Sequence, residues 1–480
     1  MTTRTTPLYD FLHQHAAKKT ASFHMPGHKG AQLYQRLGYG DFMRDFFNYD
    51  VTEIPGADNL FQTEGVLEDI QKHYKELYQV ENSYLLINGT SGGIIASILA
   101  SVKKGGKLVM ARNCHKSAFN ALILGDVRPV YAYPEENQEY GISGPIPAAE
   151  IARLLDENQD AEAVILPSPN YYGICSDIRA IAAEVHKQGR ILIVDQAHGA
   201  HLKFFNAHGF DDMPLCAEEA GADLVINSTH KTLASLTQSA VLNRATPRVD
   251  QLLLEDKLQA IQSTSPSYIL MTSLDVNAAI LKEHGKELIT EWGENLNYFY
   301  QKAAKIKGLN VMGKFPGLDW SKLNFSLGIP GGELEQWLMK EHGVFIELFT
   351  GDLVMCMTGI GNTRKHMDRL LVGLTEISEK PEVQENLRRR PEKSVWPAGT
   401  KGQNRDAELY PIPKERHLVS LEEAEEKICA SSVIPYPPGI PFLCPGEKFH
   451  KEQIEYIKDL RAMGEKVIGV TAEGGVFVGK

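Results

Sequence analysis

The chain has 480 residues, of which 43% are hydrophobic and 23% are charged, a composition that suits a soluble protein with more than one core. Its net charge of -11 disfavours nucleic acids and anionic membranes as partners, because both are themselves negative. No apolar run approaches the roughly 18 residues of a membrane-spanning helix, and the N-terminus lacks the apolar core of an export signal. We therefore expect a cytoplasmic protein whose 6 widely spaced cysteines stay reduced and bind no metal.

Helix-like and strand-like patterns alternate from about residue 66 to about residue 245. This alternation predicts an α/β domain, in which a mostly parallel sheet carries helices on both faces. The apolar spacing of residues 66–78 predicts an amphipathic helix. Strands are predicted at residues 107–110, 129–133, 163–166, 191–194 and 223–226.

The remainder of the chain predicts smaller units. A helical stretch from about residue 275 to 305 leads into an α+β portion with strands at 324–327 and 344–348. Residues 378–416 are charged and contain prolines, which predicts a solvated linker that includes the three arginines at 388–390. We expect a large domain over residues 1–305, a small α+β domain over 306–377, the linker over 378–416 and a C-terminal unit over 417–480.

Two predicted strands end in side chains that suit pyridoxal phosphate (PLP). Residues 223–226 lead into Asn227-Ser228-Thr229-His230-Lys231, and residues 191–194 lead into Asp195-Gln196-Ala197-His198-Gly199. A lysine amine can condense with the PLP aldehyde, while a buried carboxylate can keep the pyridine nitrogen protonated. Taken singly, Lys231 could be a surface charge and Asp195 a helix cap. Their order along the chain, together with an upstream phosphate site, favours the cofactor.

That phosphate site is predicted at residues 88–93, Asn-Gly-Thr-Ser-Gly-Gly, between an apolar strand and a helix. Backbone N–H groups at a helix N-terminus bind anions, Thr90 and Ser91 add hydroxyls, and Gly92 allows close approach. The segment matches neither the P-loop nor the G-x-G-x-x-G fingerprint, which argues against a nucleotide; a Gly-rich turn with a Ser/Thr cap is the structural alternative. His115 follows another predicted strand and could lie flat on the pyridine ring, although a lone histidine is more often structural.

Six motifs resemble those of a known family. They are F-H-M-P-G-H-K-G at 23–30, N-G-T-S-G at 88–92, N-C-H-K-S at 113–117, V-D-Q-A-H-G-A-H at 194–201, S-T-H-K at 228–231 and T-S-P-S-Y at 264–268. In this order they resemble the bacterial ornithine/lysine/arginine decarboxylases, fold-type-I PLP enzymes with the fold of aspartate aminotransferase. The stretch from Pro435 to Glu447 resembles that family's C-terminal domain. The resemblance is nearly end to end and looks closest to the compact arginine or lysine decarboxylases of Gram-positive bacteria and cyanobacteria.

The resemblance implies that this chain removes the α-carboxylate of a basic amino acid. Lys231 then binds PLP and Asp195 supports its ring, while His198 supports the ring oxygen or packs beside it. Ser228 and His230 contact the cofactor phosphate. Protonation of Cα is assigned to either His230 or Lys231.

The resemblance also implies an assembly. Thr264 and Ser265 match a segment that reaches the phosphate from the neighbouring subunit, which implies a homodimer with a shared active site; two dimers could pair further. The PLP motifs begin within the first few dozen residues, so we expect no N-terminal wing domain and no ring of ten subunits.

Substrate identity depends on acidic residues. By resemblance, Asp58, Glu347 and Glu447 are candidates for binding the distal cation of the substrate, since a buried cation needs a partner; each could instead belong to a structural ion pair. The family's D-D-L-H reads D-N-L-F at 58–61, and S-L-T-Q-S at 235–239 resembles the arginine decarboxylases.

The expected reaction is therefore the conversion of L-arginine to agmatine and CO₂ in polyamine biosynthesis. Lysine and ornithine decarboxylation are the alternatives, and an aminotransferase or aldolase-type PLP enzyme is a more distant one. A non-catalytic regulator is disfavoured, because Lys231 is present.

Overall fold

The computed structural model describes residues 6–389, 410–436, 439–462 and 466–479. Its central sheet has seven strands. In spatial order they are Asn82–Leu86, Ala240–Arg244, Leu224–Asn227, Ile191–Asp195, Ala161–Pro167, Lys107–Ala111 and Arg128–Ala132. Ala240–Arg244 runs antiparallel to both neighbours, and the other neighbouring pairs are parallel. The predicted α/β fold is confirmed, and each of the five predicted strands lies within about two residues of its predicted bounds.

The side chains of this sheet pack into two apolar cores. Leu85 and Leu86 are neighbours on the edge strand, yet they belong to different clusters of buried side chains. The reason is that successive side chains of a strand point to opposite faces. Inner parallel strands are apolar throughout because helices cover both faces, and all four residues from Ala163 to Leu166 are fully buried.

Helices and short elements surround the sheet. The helices that connect its strands are Gly89–Ser101, Lys116–Gly125, Ala148–Glu157, Ile178–Lys187, Leu202–Ala207, Ala217–Ala220 and Thr229–Thr232, with a hairpin of Glu136–Asn137 and Ile142–Ser143. The helix Gln251–Ile261 follows the last strand. Upstream lie Pro7–Ala17, Ala21–Ser22, Gln32–Arg36, Gly40–Arg44, the 3₁₀ turn Phe46–Tyr49 and Val66–Tyr78. The last of these occupies the predicted range and buries Leu67, Ile70, Tyr74 and Tyr78 on one face.

A helix of 36 residues, Tyr268–Ala303, leads out of the large domain. It begins earlier than predicted, because Ser267 caps it by accepting the N–H of Leu270. Beyond it lies a four-stranded antiparallel sheet, flanked by the helices Gly331–His342 and Arg364–Ser378. Its spatial order is Asn310–Val311, Lys322–Ser326, Leu353–Met357 and Leu348–Thr350.

The strand predicted at 344–348 is instead two short strands, Val344–Phe345 and Leu348–Thr350. The first pairs in parallel with Ala21–Ser22, and the second belongs to the four-stranded sheet. Glu347 lies between them and turns the chain: its N–H donates to the carbonyl of Met355, while its carboxylate accepts the N–H of Met25.

The predicted linker is not irregular at its start. Pro381–Arg389 forms a helix, since proline at the first helical position sacrifices no hydrogen bond and Val383 is buried. Residues 390–409 lie outside the described residues. The predicted domain boundaries stay a prediction.

The C-terminal unit has a small core of its own, which includes Phe442, Phe449 and Val476. Its elements are Arg416–Ser420 paired with Gly475–Gly479, Ile434–Tyr436 paired with Lys466–Ile468, the helix Lys451–Ala462 and the 3₁₀ turn Glu422–Ala424. No helix in the described part of the chain is long and apolar enough to cross a bilayer.

Candidate active site

A cavity of about 290 Å³ lies at the carboxyl edge of the central sheet, where ligands bind in open α/β folds. Most of its lining lies at the carboxyl ends of strands or shortly after them: Gly89, Thr90, Ser91, Asn113, His115, Lys116, Pro167, Pro169, Asn170, Tyr171, Asp195, Ala197, His198, His230 and Lys231. Met25 and four residues of the C-terminal unit complete it, namely Ile434, Gly439, Ile440 and Ile468. One cavity thus brings together the lysine, the carboxylate, the histidines and the helix N-terminus that the sequence singled out.

Lys231 lies in the short helix Thr229–Thr232, directly after its strand. Its Nζ is 2.9 Å from Nε2 of His198. Burial lowers the pKa of Lys231, while the carboxylates of Asp195 and Glu347 oppose this shift. Only the unprotonated amine is a nucleophile, so burial favours condensation of Lys231 with a carbonyl group.

Asp195 is the last residue of its strand and is 7% exposed. Its Oδ1 accepts the N–H of Ala197 at 3.1 Å. Burial raises the pKa of Asp195, and the positive charge of Lys231 acts in the opposite direction. A cationic ring bound next to Asp195 would favour the ionised carboxylate.

His115 caps the helix Lys116–Gly125. Its Nδ1 accepts the N–H of Ser117 at 3.3 Å and lies 2.8 Å from the Ser117 hydroxyl. Burial lowers the pKa of His115 to about 4, and the charges of Lys231 and Lys116 add to the effect. The imidazole is therefore neutral near pH 7 and held in a fixed orientation against the cavity.

His198 packs against Tyr171, with ring centroids 4.4 Å apart. Its pKa lies well below the ordinary value, because the ring is buried and because Lys231 and Lys322 are positively charged. The Nδ1 atom of His198 is buried without a hydrogen-bond partner among the described residues. Such an atom marks a place for a polar ligand group, because an unsatisfied buried polar atom is costly.

The phosphate-binding prediction falls on the N-terminus of the helix Gly89–Ser101. Gly89 has φ +64°, a conformation that favours glycine, and Thr90 and Ser91 line the cavity beside it. Gly92 lies one residue beyond the lining. A Cβ at Gly92 would come within 3.2 Å of the Cβ of Asn88, so the structure explains this glycine by packing.

His230 lines the cavity, whereas Ser228 is fully buried and lies behind it. The Nδ1 atom of His230 is 2.7 Å from the carbonyl oxygen of Ser239 and 3.1 Å from the Ser228 hydroxyl. Burial lowers the pKa of His230 to about 4. A neutral His230 therefore donates its Nδ1 proton to Ser239, and Ser228 reaches the cavity only through His230.

The three acidic residues predicted for substrate binding lie outside the lining of this cavity. Asp58 has φ +69° and its carboxylate accepts backbone N–H groups at the start of the helix Val66–Tyr78. The donors within 3.1 Å are Asn59, Glu64, Gly65 and Leu67. Within one chain, Asp58 therefore acts as a cap for this loop and helix.

Glu447 forms a buried ion pair with Arg112, at 3.2 Å between Oε2 and Nη2. The same oxygen accepts the N–H of Cys444 at 2.8 Å. In this structure Glu447 is therefore part of a structural ion pair.

Glu347 lies closest to the cavity among these acids. Its Oε2 accepts the N–H of Met25 at 3.0 Å and its Oε1 accepts the hydroxyl of Tyr171 at 3.1 Å, and both partners line the cavity. Among the described residues that line the cavity, Asp195 carries the only carboxylate.

Thr264 and Ser265 lie in an exposed turn before the long helix Tyr268–Ala303. The N–H of Ser265 donates to the hydroxyl of Ser263 at 3.2 Å. Neither Thr264 nor Ser265 lines the cavity of its own chain.

Sequence reasoning missed a buried charged cluster behind the site. The Nζ of Lys322 donates to Asp319 and to the carbonyl of His198, each at 2.6 Å, and Nε2 of His201 lies 3.1 Å from Asp319. Although burial alone would raise it, His201 and Lys322 hold the pKa of Asp319 well below its usual range. The signal in the sequence was a pair of opposite charges, three residues apart, between the apolar residues Leu318 and Leu323.

Comparisons with known proteins agree with this geometry. The family models for the Orn/Lys/Arg decarboxylase major domain and C-terminal domain match residues 6–314 and 399–475 respectively. An arginine decarboxylase of Bacillus subtilis (strain 168) is 30% identical over 472 residues, with 95% of this chain and 94% of the relative covered.

Solved structures share the fold. Lysine decarboxylase A from Pseudomonas aeruginosa has a TM-score of 0.76 at 20% identity, covering 99% of this chain and 80% of the other. L-threonine transaldolase from Pseudomonas fluorescens has a TM-score of 0.58 at 16% identity, covering 82% and 94%. The fold-type-I prediction is confirmed, and the chain belongs to the Orn/Lys/Arg decarboxylase family.

Proposed function

We propose that this chain is a PLP-dependent decarboxylase that converts L-arginine to agmatine and CO₂. The observation that carries the proposal is the single cavity in which the buried amine of Lys231 and the buried carboxylate of Asp195 meet a helix N-terminus. Membership of the decarboxylase family supports the reaction type.

The groups in the cavity fit PLP. The N-terminus of the helix Gly89–Ser101, with the hydroxyls of Thr90 and Ser91, suits the dianionic phosphate. Neutral His115 offers a flat aromatic face for the pyridine ring. Asp195 offers a carboxylate for the ring nitrogen, and the unpartnered Nδ1 of His198 offers a polar contact.

When bound, PLP accepts the electron pair that Cα of the substrate retains as CO₂ leaves. Asp195 holds the proton on the ring nitrogen, because a nearby opposite charge stabilises a cation. Lys231 is the better placed of the two candidate proton donors to Cα: its Nζ lies 2.9 Å from Nε2 of His198, another lining residue, whereas the Nδ1 proton of His230 is donated to Ser239.

Arginine is proposed as substrate because a relative named arginine decarboxylase is 30% identical over nearly the whole chain. Lysine is the second candidate, since a lysine decarboxylase shares the fold at 20% identity. An aminotransferase would use the same lysine, carboxylate and phosphate site, and differs in releasing no CO₂.

The test is to incubate the purified protein with PLP and arginine, lysine or ornithine in turn, and to identify the amine and measure CO₂. We expect agmatine to form fastest. The control is Lys231→Ala, which should neither release CO₂ nor become covalently labelled by PLP and borohydride. A clear catalytic preference for lysine or ornithine would overturn the arginine assignment, and an amine-transfer product without CO₂ would overturn the reaction type.

We also propose a homodimer with a shared site, because Thr264 and Ser265 are exposed in the single chain and free to reach a neighbouring phosphate site. Light scattering tests this: an active monomer would refute the shared site. A pair of dimers and a role in polyamine synthesis remain predictions from the resemblance, and a cytoplasmic location remains a prediction from the N-terminus and the cysteines.

A further inference from the structure

The C-terminal unit forms one wall of the active-site cavity. We call Ile434, Gly439, Ile440 and Ile468 the C-terminal wall. Ile434 and Ile468 are directly paired across their two-stranded sheet. Ile434 is 6% exposed and Ile468 is 39% exposed, so the wall extends from the interior to the mouth of the cavity.

Arg112 fastens this wall to the large domain. Its guanidinium donates to the carbonyls of Pro441 at 2.6 Å and Phe442 at 2.9 Å, and pairs with Glu447. Pro441 directly follows Ile440. The Arg112 side chain is 2% exposed, so these contacts form away from water, where charge-assisted hydrogen bonds are strong.

The other end of Arg112 is fixed in the large domain. Its backbone N–H donates to the carbonyl of Ala132 at 2.8 Å, and its guanidinium lies 5.3 Å and 5.2 Å from the ring centroids of Phe119 and Tyr131. Three residues further along the chain, His115 lines the cavity. Arg112 therefore joins the loop that carries His115 to the segment that carries Ile440.

Backbone hydrogen bonds extend this connection through the wall. The N–H of Phe442 donates to the carbonyl of Val433 at 2.8 Å, and the N–H of Val433 donates to the carbonyl of Leu443 at 2.9 Å. Val433 precedes Ile434, which pairs with Ile468. Arg112 is thus connected to the three isoleucines of the C-terminal wall through these hydrogen bonds and the residues next to them in the chain.

The other apolar side chains of the lining, Met25, Pro167, Pro169 and Ala197, come from the N-terminal segment and the strand ends, whereas the three isoleucines come from the C-terminal unit. The substrate amine must reach Lys231, and Asp195, the only carboxylate among the described lining residues, is assigned to the cofactor ring. A guanidinium without a carboxylate partner requires water, which is available at the mouth beside Ile468.

We propose that the C-terminal wall is the surface against which the methylene chain of the basic substrate packs, with Ile440 as a specificity-determining residue and Arg112 as the positioning residue that seats it. The proposal rests on the proposed function and deepens it.

The first experiment compares Ile440→Ala with Ile428→Ala. Ile428 is a half-buried isoleucine of the same unit that does not line the cavity. Loss of methylene contacts is worth roughly 10-fold or more in discrimination. Ile440→Ala should therefore raise KM for arginine about 10-fold and change the ratio of kcat/KM among arginine, lysine and ornithine, with kcat and the cofactor absorbance little changed. If the two variants behave alike in an active enzyme, the wall is not a specificity surface.

The second experiment uses Arg112→Lys, because a lysine is a point charge that cannot hold two carbonyls and a carboxylate in one plane. In the folded variant, hydrogen exchange of the holoenzyme should accelerate by at least about 10-fold in residues 439–447, and KM should rise more than kcat falls. Unchanged exchange there, or a loss confined to kcat, would overturn the positioning role.

Failures of the two proposals are distinguishable. An inactive wild-type protein that binds PLP overturns the proposed function and the specificity role together. An active wild-type protein with unaltered Ile440→Ala and Arg112→Lys variants overturns this inference alone.

Discussion

The cavity has two walls that are built differently. The sheet wall consists of the lining residues at the ends of the strands and just after them. Its ionisable groups are Lys231, Asp195, His115, His198, His230, Lys116 and Tyr171. The C-terminal wall, within the described residues, carries no ionisable side chain. Groups that perform chemistry need fixed geometry, which strand ends and helix caps provide. Discrimination among substrate side chains needs a surface of complementary shape, which the C-terminal unit can supply.

A buried ion pair stands behind each wall. Lys322 is paired with Asp319 and donates to the carbonyl of His198, whereas Arg112 is paired with Glu447 and donates to the carbonyls next to Ile440. Lys322 fixes the backbone of His198, which lines the cavity, and Arg112 fixes the backbone of Pro441, which directly follows the lining residue Ile440. The two pairs therefore allow each wall to be disturbed separately.

The largest effect should follow from a change in the sheet wall itself. Asp195→Asn replaces the carboxylate with a neutral amide that cannot hold the proton on the ring nitrogen of the cofactor. We expect kcat to fall by about 10⁴-fold, as for other mis-set catalytic carboxylates, while the phosphate contacts keep the cofactor bound. Steady-state kinetics with a matched measurement of bound cofactor checks this. Near-normal turnover would refute the role of Asp195.

The sheet wall could be predicted from the sequence because its signals are local. Lys231, Asp195 and His115 each follow an apolar run that had to be a strand, and the carboxyl ends of parallel strands meet at one edge. The order of the six motifs along the chain then indicated the family.

The C-terminal wall could not be predicted in this way. Ile440 follows the described strand Ile434–Tyr436 by only a few residues, and it lies more than 200 residues from Lys231 in the sequence. Nothing in the neighbouring sequence indicates that Ile440 lines the same cavity as Lys231. Substrate binding by Asp58, Glu347 and Glu447 stays a prediction, for a related reason. A carboxylate in a family-like motif has the same sequence whether it binds a substrate, caps a helix as Asp58 does, or neutralises an arginine as Glu447 does.

The next largest effect should follow from breaking the buried ion pair of Lys322 with Asp319 behind the sheet wall. Lys322→Met leaves the carboxylate of Asp319 buried without its lysine partner, with only His201 and Ser321 hydrogen-bonded to it among the described side chains, and breaking a buried pair costs about 3–5 kcal/mol. We expect the free energy of unfolding in urea to fall by that amount and the contact of His198 with Lys231 to loosen. In Lys322→Met/Asp319→Leu, which removes both charges, part of the stability should return. A single variant as stable as the wild type would show that the pair does not hold the wall.

Acid should weaken the sheet wall. His115 and His230 have pKa values of about 4 when folded and ordinary values near 6.5 when unfolded. The unfolded chain therefore binds more protons between these values, so the stability from each neutral histidine is complete above about pH 6.5 and is lost as the pH falls towards 4. Each histidine contributes about 3 kcal/mol over this window.

Urea unfolding between pH 7 and pH 4.5 measures this slope. His115→Gln and His230→Gln should each reduce it by about one proton, and Ile440→Ala should leave it unchanged. A wild-type slope in both glutamine variants would mean that these histidines already carry a proton in the folded protein.

The smallest effect concerns a carboxylate that belongs to neither wall. Asp58→Ala removes the acceptor for five backbone N–H groups, which lie in the loop and at the start of the helix Val66–Tyr78. Loss of such a cap costs about 1 kcal/mol. We expect the thermal midpoint to fall by a few degrees, with KM for arginine within about twofold of the wild-type value. Asp58→Asn is the matched control: asparagine tolerates the positive φ of this residue and keeps one carbonyl oxygen, so most of the stability should remain. If Asp58→Asn instead keeps the stability but raises KM at least tenfold, the charge of Asp58 contacts the substrate. The active site of the assembled enzyme would then include a third surface, which carries Asp58, in addition to the two walls.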